Sequence, residues 1–278
     1  MKRVLFSLLA VCGLSMPDTG LAQSNATLNG LDTQNEALAW QAVGRLDAQM
    51  NGFCTATLIS PELVLTAAHC VFSKQTKKVM KGGALTFKAG LRKGTSVAER
   101  KVAQVEVHPG YDHSLGTTVQ NVRHDVALLR LAEPIPTHVL SPFVVHGSEM
   151  THGPVSVVSY GRGRAEFASR QSACRMFDEY RDVVLMDCDV TFGSSGAPVF
   201  NHKNGRGQIV SLISSIGKFR GKDTSYGMVL PKLVAELKKQ MRVNASQPVA
   251  SARRIKPGEV QAVELASGGV KFVSAGGS

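Results

Sequence analysis

Short apolar segments separated by turn residues make up most of the chain between about residues 38 and 230. The segments FCTATLI, ALTFKAGL, VALLRL, PVSVVSY and GQIVSLIS are rich in β-branched and apolar residues, which are favoured in β-strands. In KVAQVEVH, the apolar residues Ala103, Val105 and Val107 alternate with polar ones, as expected for a strand with one buried face. Many short strands joined by turns predict an all-β fold, either a sandwich or barrels.

One helix is expected after the last strand. The segment PKLVAELKKQM begins with Pro231, a residue suited to the first turn of a helix. Its apolar residues recur every four positions: Leu233, Leu237 and Met241. This spacing forms one apolar stripe and predicts a helix over about residues 231–243. Residues 244–278 are small, polar and glycine-rich, so we interpret them as a C-terminal tail.

The first 22 residues have the features of a signal peptide. A positively charged start, MKR, is followed by the 11-residue apolar run VLFSLLAVCGL, which is too short to cross a bilayer as a helix. Small residues in GLAQS allow cleavage after Ala22. We therefore predict an exported protein, periplasmic or extracellular, with no membrane span in the mature chain.

Export changes the interpretation of the cysteines. Four remain beyond the signal peptide: Cys54, Cys70, Cys174 and Cys188. An even number in an oxidising compartment suggests two disulfides. Three pairings are possible, and proximity in the sequence favours Cys54–Cys70 and Cys174–Cys188. A metal site is disfavoured because there is no C-x-x-C pair, and we predict neither a metal nor another cofactor.

The charge of the chain limits its partners. With 278 residues and a formal net charge of +11, the surface favours acidic partners over basic ones. The sequence has no basic stripe interleaved with aromatic residues and no zinc-ligand spacing, so nucleic acid is not an expected partner. It specifies no oligomeric state.

Three segments carry residues suited to nucleophilic catalysis. In GSSG (193–196), flanking glycines permit a tight backbone that exposes a serine and turns successive N–H groups one way, as an activated nucleophile with an oxyanion hole requires. TAAHC places His69 among small residues. RHDVALLRL places Asp125 at the start of an apolar strand, where burial is costly unless a group such as a histidine N–H binds it.

TAAHC, DVALLRL and GSSGAP resemble, in that order, the histidine, aspartate and serine motifs of the trypsin/chymotrypsin-like serine peptidases. The resemblance covers about residues 40–230, and the short loops resemble those of bacterial members. It implies a peptidase domain over 23–243 with two six-stranded antiparallel β-barrels and a C-terminal helix. The barrels would span about residues 36–140 and 141–230, with the active site in the cleft between them.

The resemblance also implies roles for individual residues. Ser195 would be the nucleophile, His69 the general base and Asp125 the residue that orients His69. The main-chain N–H groups of Gly193 and Ser195 would form the oxyanion hole, and a Cys54–Cys70 disulfide would hold the turn that carries His69. Alternatives to these residues are Ser194 as nucleophile, Asp112 as the acid and His124 as the base; the motif register disfavours all three.

The substrate-binding residues are inferred from two weaker similarities. VSL (210–212) resembles a VSW segment of the family, so Ser211, Leu212 and Ile213 are expected to pair with an extended substrate. Asp189 lies six residues before Ser195, where trypsin-like enzymes keep the acid of the primary pocket. It would favour cleavage after Lys or Arg, with small or apolar residues as the alternative.

One departure from the family concerns activation. Ser194 stands where trypsin-like zymogens have an aspartate that pairs with a newly formed N-terminal amine, and a serine cannot form that ion pair. The sequence therefore predicts a secreted serine endopeptidase that acts on proteins or peptides through an acyl-enzyme and whose activity does not depend on one exact new N-terminus. The alternative is a catalytically inactive relative that serves as a binding module.

Overall fold

The computed structural model describes residues 27–49, 52–202 and 205–246. The predicted signal peptide and nearly all of the predicted tail lie outside these residues. The chain up to Met241 belongs to one compact unit, and of the second unit, Arg242–Ser278, only the end of a helix is described.

The described residues are mostly β-structure. The strands are β1 (Leu28–Gly30), β2 (Val43–Ala48), β3 (Gly52–Ser60), β4 (Leu63–Thr66), β5 (Leu85–Ala89), β6 (Ala98–Val107), β7 (Ala127–Leu131), β8 (Gly153–Gly161), β9 (Arg164–Tyr180), β10 (Val183–Met186), β11 (Pro198–Asn201), β12 (Gln208–Leu212), β13 (Ser215–Phe219) and β14 (Lys222–Met228). The α-helices are α1 (Gln34–Leu38), α2 (Val119–Val122) and α3 (Pro231–Ser246), and 3₁₀-helices cover Ala68–Val71, Gly82–Ala84 and His113–Leu115.

The first barrel is closed. Its six antiparallel strands follow the order β2-β3-β4-β7-β6-β5, and β5 pairs back onto β2. Side chains that alternate along the strands fill the interior, and the following are fully buried: Leu46, Leu58, Leu65, Phe87 and Leu128. This confirms the first predicted barrel and accounts for the apolar runs in this half of the sequence.

The second sheet is barrel-like but differs from the predicted six-stranded barrel. It has eight strands in the part of the chain that is described, in the order β12-β11-β8-β9-β10-β14-β13, and β1 pairs with β9. Where β12 approaches β14, the Ser211 hydroxyl donates to the Met228 carbonyl at 2.8 Å and accepts from the Met228 N–H at 3.1 Å. A side chain thus satisfies main-chain groups that a strand ladder would otherwise pair, and the sheet curls without closing.

The predicted C-terminal helix is confirmed and extends beyond the predicted end at residue 243, to Ser246. Its apolar residues Leu233, Leu237 and Met241 are buried, as their spacing predicted. On the polar side, Glu236 lies 2.9 Å from His108 Nε2, just after β6. No helix among the described residues combines the length and apolar character needed to cross a membrane.

Both favoured disulfides are present. Cys54 on β3 is bonded to Cys70, and Cys174 on β9 is bonded to Cys188, with sequence separations of 16 and 14 residues. The pairing that sequence proximity favoured is therefore the one in the structure.

The Cys174–Cys188 disulfide gives a prediction for stability. Replacing both residues by alanine should lower the free energy of unfolding by about 3 kcal/mol, because a closed loop of this length restricts the unfolded chain by that amount. Urea denaturation of the double variant measures the loss, and a thiol assay on denatured wild type should find no free thiol in the mature chain. An unchanged unfolding free energy would contradict the prediction.

Candidate active site

A cleft of about 840 Å³ contains the residues that the motifs identified. His69 and Asp125 reach it from the first barrel, and Gly193, Ser195 and Ser214 from the second sheet. The fold thus brings three segments that are distant in sequence to one surface.

The local structure explains why small residues surround His69. The residue lies in the 3₁₀-helix Ala68–Val71, directly after β4, and Ala67 and Ala68 are completely buried. Larger side chains at these two positions would displace the helix from the barrel. The Cys54–Cys70 disulfide ties the helix to β3, and Cys70 Sγ lies 3.7 Å from His69 Nε2.

Asp125 holds the imidazole from one side. Its carboxylate lies 2.7 Å from His69 Nδ1 and accepts the main-chain N–H of His69 at 2.9 Å. The Ser214 hydroxyl donates to the same carboxylate at 2.6 Å. Because Asp125 is an acceptor, Nδ1 carries the proton and Nε2 can act as a base.

Burial and charge have opposing effects on this pair. The Asp125 side chain is 4% exposed and that of His69 is 32% exposed. Burial disfavours the imidazolium, but the Asp125 charge and hydrogen bond outweigh it and raise the pKa of His69. Burial also opposes ionisation of Asp125, yet His69 and the hydrogen bonds from His69 and Ser214 hold the pKa of Asp125 below its usual value. The arrangement favours a carboxylate beside a basic imidazole.

Two glycines shape the loop that carries Ser195. Gly193 and Gly196 have φ values of +94° and +76°, a region that favours glycine. A Cβ on Gly193 would collide with the Phe53 ring, and one on Gly196 with Thr66 Oγ1. Glycine is therefore required at both positions for the loop to pack against the first barrel.

The main-chain N–H groups of this loop fall into two sets. Those of Ser194 and Gly196 donate to the carbonyls of Thr191 and Ile213 at 2.9 and 2.7 Å. Those of Gly193 and Ser195 have no acceptor among the described residues. Two N–H groups beside one serine hydroxyl are what a developing oxyanion requires.

Ser195 lies in the cleft with His69, and its carbonyl accepts the Thr55 N–H at 2.9 Å. Within the described part of the chain, no hydrogen bond joins its hydroxyl to His69. Such contacts are often long in enzymes without substrate and shorten when substrate binds. The structure therefore brings the two side chains to one cleft with His69 already oriented by Asp125.

Ser194, the alternative nucleophile, is completely buried and points away from the cleft. Its hydroxyl lies 3.1 Å from Arg164 Nη2 and 3.2 Å from both Ser159 Oγ and the Tyr160 carbonyl. Arg164 also donates to Ser159 Oγ at 2.9 Å and to the Ser159 carbonyl. Arg164 thus anchors the loop that carries Ser194 and Ser195 to the β8–β9 hairpin.

This anchor gives a second prediction. Arg164→Ala should lower kcat about tenfold or more with little change in KM, because the N–H groups of Gly193 and Ser195 would lose their fixed direction. Millimolar guanidinium should restore part of the lost kcat by occupying the space vacated. Arg170→Ala, on the same strand but outside the cleft, serves as the control. A loss of thermal stability with unchanged kcat would show that Arg164 has only a structural role.

The structure does not place Asp189 in the cleft. Its side chain is exposed, and its main-chain N–H donates to Gln171 Oε1 on β9 at 2.7 Å. The adjacent Cys188 is bonded to Cys174, also on β9, and these two ties direct the segment toward β9. Burial lowers the pKa of Arg164, and the negative charge of Asp189 partly offsets this lowering. The structure therefore does not support the prediction that Asp189 is the acid of the primary substrate pocket.

The predicted substrate edge is also displaced along the chain. Ser211 and Leu212 are buried within β12, so of the three predicted residues only Ile213 lines the cleft. Ser214, Ser215 and Ile216 line it as well. Of the two serines, Ser214 rather than Ser211 is the one bonded to Asp125.

The other alternative residues lie in different surroundings. Asp112 caps a 3₁₀-helix by accepting from Ser114 at 2.9 Å, and the His124 ring stacks on His108. Cys54, His69 and Cys70 form a cluster with the spacing of metal ligands. Its two sulfurs are bonded to each other, so neither is a thiolate that could bind a metal.

Two residues of the site, Ser214 and Arg164, have no distinct sequence signature. Ser214 lies in a run with several serines, VSLISS, and only its contact with Asp125 distinguishes it. Arg164 belongs to none of the three motifs, and only its contact with Ser194 identifies it.

Comparison with known proteins identifies the family to which the chain is similar. The family described as Trypsin-like peptidase domain matches residues 54–210. Serine protease 7 of Drosophila melanogaster is 29% identical over 179 residues, 56% of this chain and 43% of that protein. Trypsin of Sarcophaga bullata is 33% identical over 109 residues, 39% of this chain and 38% of that protein. Ovochymase of Halocynthia roretzi is 31% identical over 127 residues, 45% of this chain but 7% of that protein.

The chain therefore matches less than half the length of each of these relatives. A solved structure of Glu endopeptidase in complex with MPD has a TM-score of 0.62 at 17% identity, covering 77% of this chain and 97% of that chain. This similarity supports the fold alone. From the matched segment and the arrangement of the site, the chain belongs to the trypsin-like peptidase family.

Proposed function

We propose that the protein is a serine endopeptidase that hydrolyses peptide bonds through an acyl-enzyme. The observation that carries the proposal is the 2.7 Å contact between Asp125 and His69 Nδ1 in a cleft that Ser195 also lines. An oriented imidazole, a serine hydroxyl and two N–H groups without acceptors are the components that acyl transfer requires.

In the proposed reaction, Ser195 Oγ attacks the carbonyl carbon of the substrate while His69 Nε2 takes the hydroxyl proton. The carbonyl oxygen becomes an oxyanion that the N–H groups of Gly193 and Ser195 bind. His69 then donates its proton to the leaving amine, which departs as the acyl-enzyme forms. Water attacks the acyl-enzyme by the same route in reverse, and Asp125 stabilises the imidazolium in both halves.

The substrate is proposed to be an extended peptide or protein segment. β13 is the last strand of its sheet and pairs only with β14 among the described strands, so its other edge can accept a substrate strand near Ser215 and Ile216. A preference for cleavage after Lys or Arg has no support from this geometry, because Asp189 lies outside the cleft. We expect small or apolar side chains at the cleaved position, where Ile213 and Ile216 line the cleft.

We also propose that the chain is exported, with a signal peptide over residues 1–22, a peptidase domain over 23–243 and a tail over 244–278. Two disulfides support an oxidising location. Mass spectrometry of the protein recovered from culture medium and periplasm tests the cleavage site after Ala22 and the compartment.

A fluorophosphonate probe tests the enzymatic function most directly, because it reacts only with an activated serine. The native protein should be labelled on Ser195, as shown by peptide mapping, and the heat-denatured protein should not. Absence of labelling on the folded protein would favour the alternative, a binding module that has lost catalysis.

A further inference from the structure

We propose that Arg162 binds an acidic side chain in the leaving-group half of the peptide substrate. This inference rests on the proposed peptidase function and names the class of substrate: peptides with Glu or Asp just after the cleaved bond. The residue lines the same cleft as Ser195 and is exposed. Nothing in the trypsin-like motifs involves it.

Arg162 is held in a defined position beside the oxyanion loop. Its main-chain N–H donates to the Phe192 carbonyl at 2.7 Å, and its guanidinium lies 4.3 Å from the centre of the Phe192 ring. Phe192 is 63% exposed and immediately precedes Gly193. An arginine stacked on an aromatic face keeps its N–H groups directed outward at little entropic cost.

The short turn that carries Arg162 is anchored on both sides. Arg164, two residues later, is hydrogen-bonded to Ser194, and Arg45 donates to the Ala165 carbonyl at 2.9 Å. Arg45 also lies 5.4 Å from the centre of the Phe53 ring. The hairpin therefore keeps its position relative to the catalytic loop, as a specificity residue must.

We place Arg162 on the side of the cleft that holds the leaving-group half of the substrate. The leaving amine must face His69, which gives it a proton. His69 adjoins the Cys54–Cys70 disulfide, and Phe53 directly precedes Cys54 on β3. Gly193, which follows Phe192, also packs closely against Phe53, since a Cβ on Gly193 would collide with the Phe53 ring. The acyl half of the substrate would instead follow the edge of β13.

The charges around the cleft favour an anionic ligand. Among the described lining residues, the only carboxylate is that of buried Asp125, while Lys74 and Arg162 both line the cleft. Arg162 has no carboxylate within 4.0 Å in the described part of the chain. Of the acids near its hairpin, Asp47 and Glu166 are engaged by Arg45 at 2.6 and 3.5 Å, and Asp189, whose charge acts on Arg164, lies outside the cleft.

The size of the effect follows from the exposure of the guanidinium. An exposed ion pair contributes little and is screened by salt, while a bidentate arginine–carboxylate pair is stronger. We expect about a three- to tenfold higher kcat/KM for a peptide with Glu than for one with Gln at the matching position. The preference should decrease between low and high salt.

The experiment uses pairs of quenched fluorescent peptides that differ only by Glu or Gln at each of the first three positions after the cleaved bond. Wild type should prefer Glu at one position or more, Arg162→Gln should abolish the preference, and Arg162→Glu should invert it toward Lys. Arg220→Gln is the matched control, because Arg220 also stacks on a phenylalanine, at 5.1 Å, but lies outside the cleft.

Two results would overturn the proposal: equal rates for Glu and Gln peptides with wild type, or a Glu preference that persists in Arg162→Gln. In both cases, hydrolysis and fluorophosphonate labelling would show that the peptidase function itself holds. If no peptide were cleaved, the dissociation constants of the same pairs with Ser195→Ala, measured by fluorescence anisotropy, would still decide whether Arg162 selects the acid.

Discussion

Replacement of Ser195 by alanine is expected to lower kcat for peptide hydrolysis on the order of 10⁵-fold or more. The hydroxyl is the attacking group, and no other nucleophile can replace it, because Ser194 is buried against Arg164. The variant should fold normally, since the Ser195 side chain makes no hydrogen bond among the described residues, and its circular dichroism and melting temperature should match those of wild type.

The control for this variant is Ser148→Ala, at an exposed serine outside the cleft that is hydrogen-bonded to His146. Its activity should stay within twofold of wild type. Hydrolysis by Ser195→Ala at more than about one per cent of the wild-type rate, or probe labelling at another serine, would contradict the assignment of the nucleophile.

Asp125→Asn is expected to lower kcat about 10⁴-fold near neutral pH. The amide can present a donor to His69 Nδ1, which would move the imidazole proton to Nε2 and leave no base facing Ser195. The variant would also lose the negative charge that raises the pKa of His69 and stabilises the imidazolium.

The pH dependence gives this variant an independent readout. His69 must be neutral to accept a proton, so activity rises as pH increases through the pKa of His69. Asp125 raises that pKa, and removal of its charge should lower it and shift the acidic limb of the kcat/KM profile to lower pH. Asp112→Asn, at an exposed helix cap, should leave both the rate and the profile unchanged. An unshifted limb in Asp125→Asn would argue against direct coupling to His69.

Much of the architecture could be predicted from local patterns. Runs of apolar and β-branched residues predicted the strands, and the four-residue spacing of Leu233, Leu237 and Met241 predicted the helix. The buried face expected for β6 was wrong: Val102 and Glu106 are buried, and Ala103 is exposed. The motifs around His69, Asp125 and Ser195 indicated which residues would share a cleft. Each motif is continuous in sequence, and the residues that its local structure needs, such as the small residues before His69, lie within it.

The substrate-binding side of the cleft was predicted less well. The predicted substrate edge was Ser211–Ile213, but Ser211 and Leu212 are buried within β12 and only Ile213 of the three lines the cleft. Hydrogen bonds distinguish Ser211 from Ser214: the Ser211 hydroxyl bonds to the main chain of Met228, while the Ser214 hydroxyl donates to Asp125. Both contacts join segments that are distant along the chain, so no local pattern could separate the two serines.

The sequence by itself determined the all-β fold, the terminal helix, the favoured disulfides and the three motif residues, because strand composition, helix periodicity and motif spacing are local properties. Only the tertiary structure decided that the second sheet remains open, that Asp189 turns toward β9 and that Arg164 holds Ser194. Each of these depends on a contact between separate strands or loops: Ser211 with Met228, the Asp189 N–H with Gln171 on β9, and Arg164 with Ser194, 30 residues later. Such contacts arise from packing, which a linear pattern does not encode.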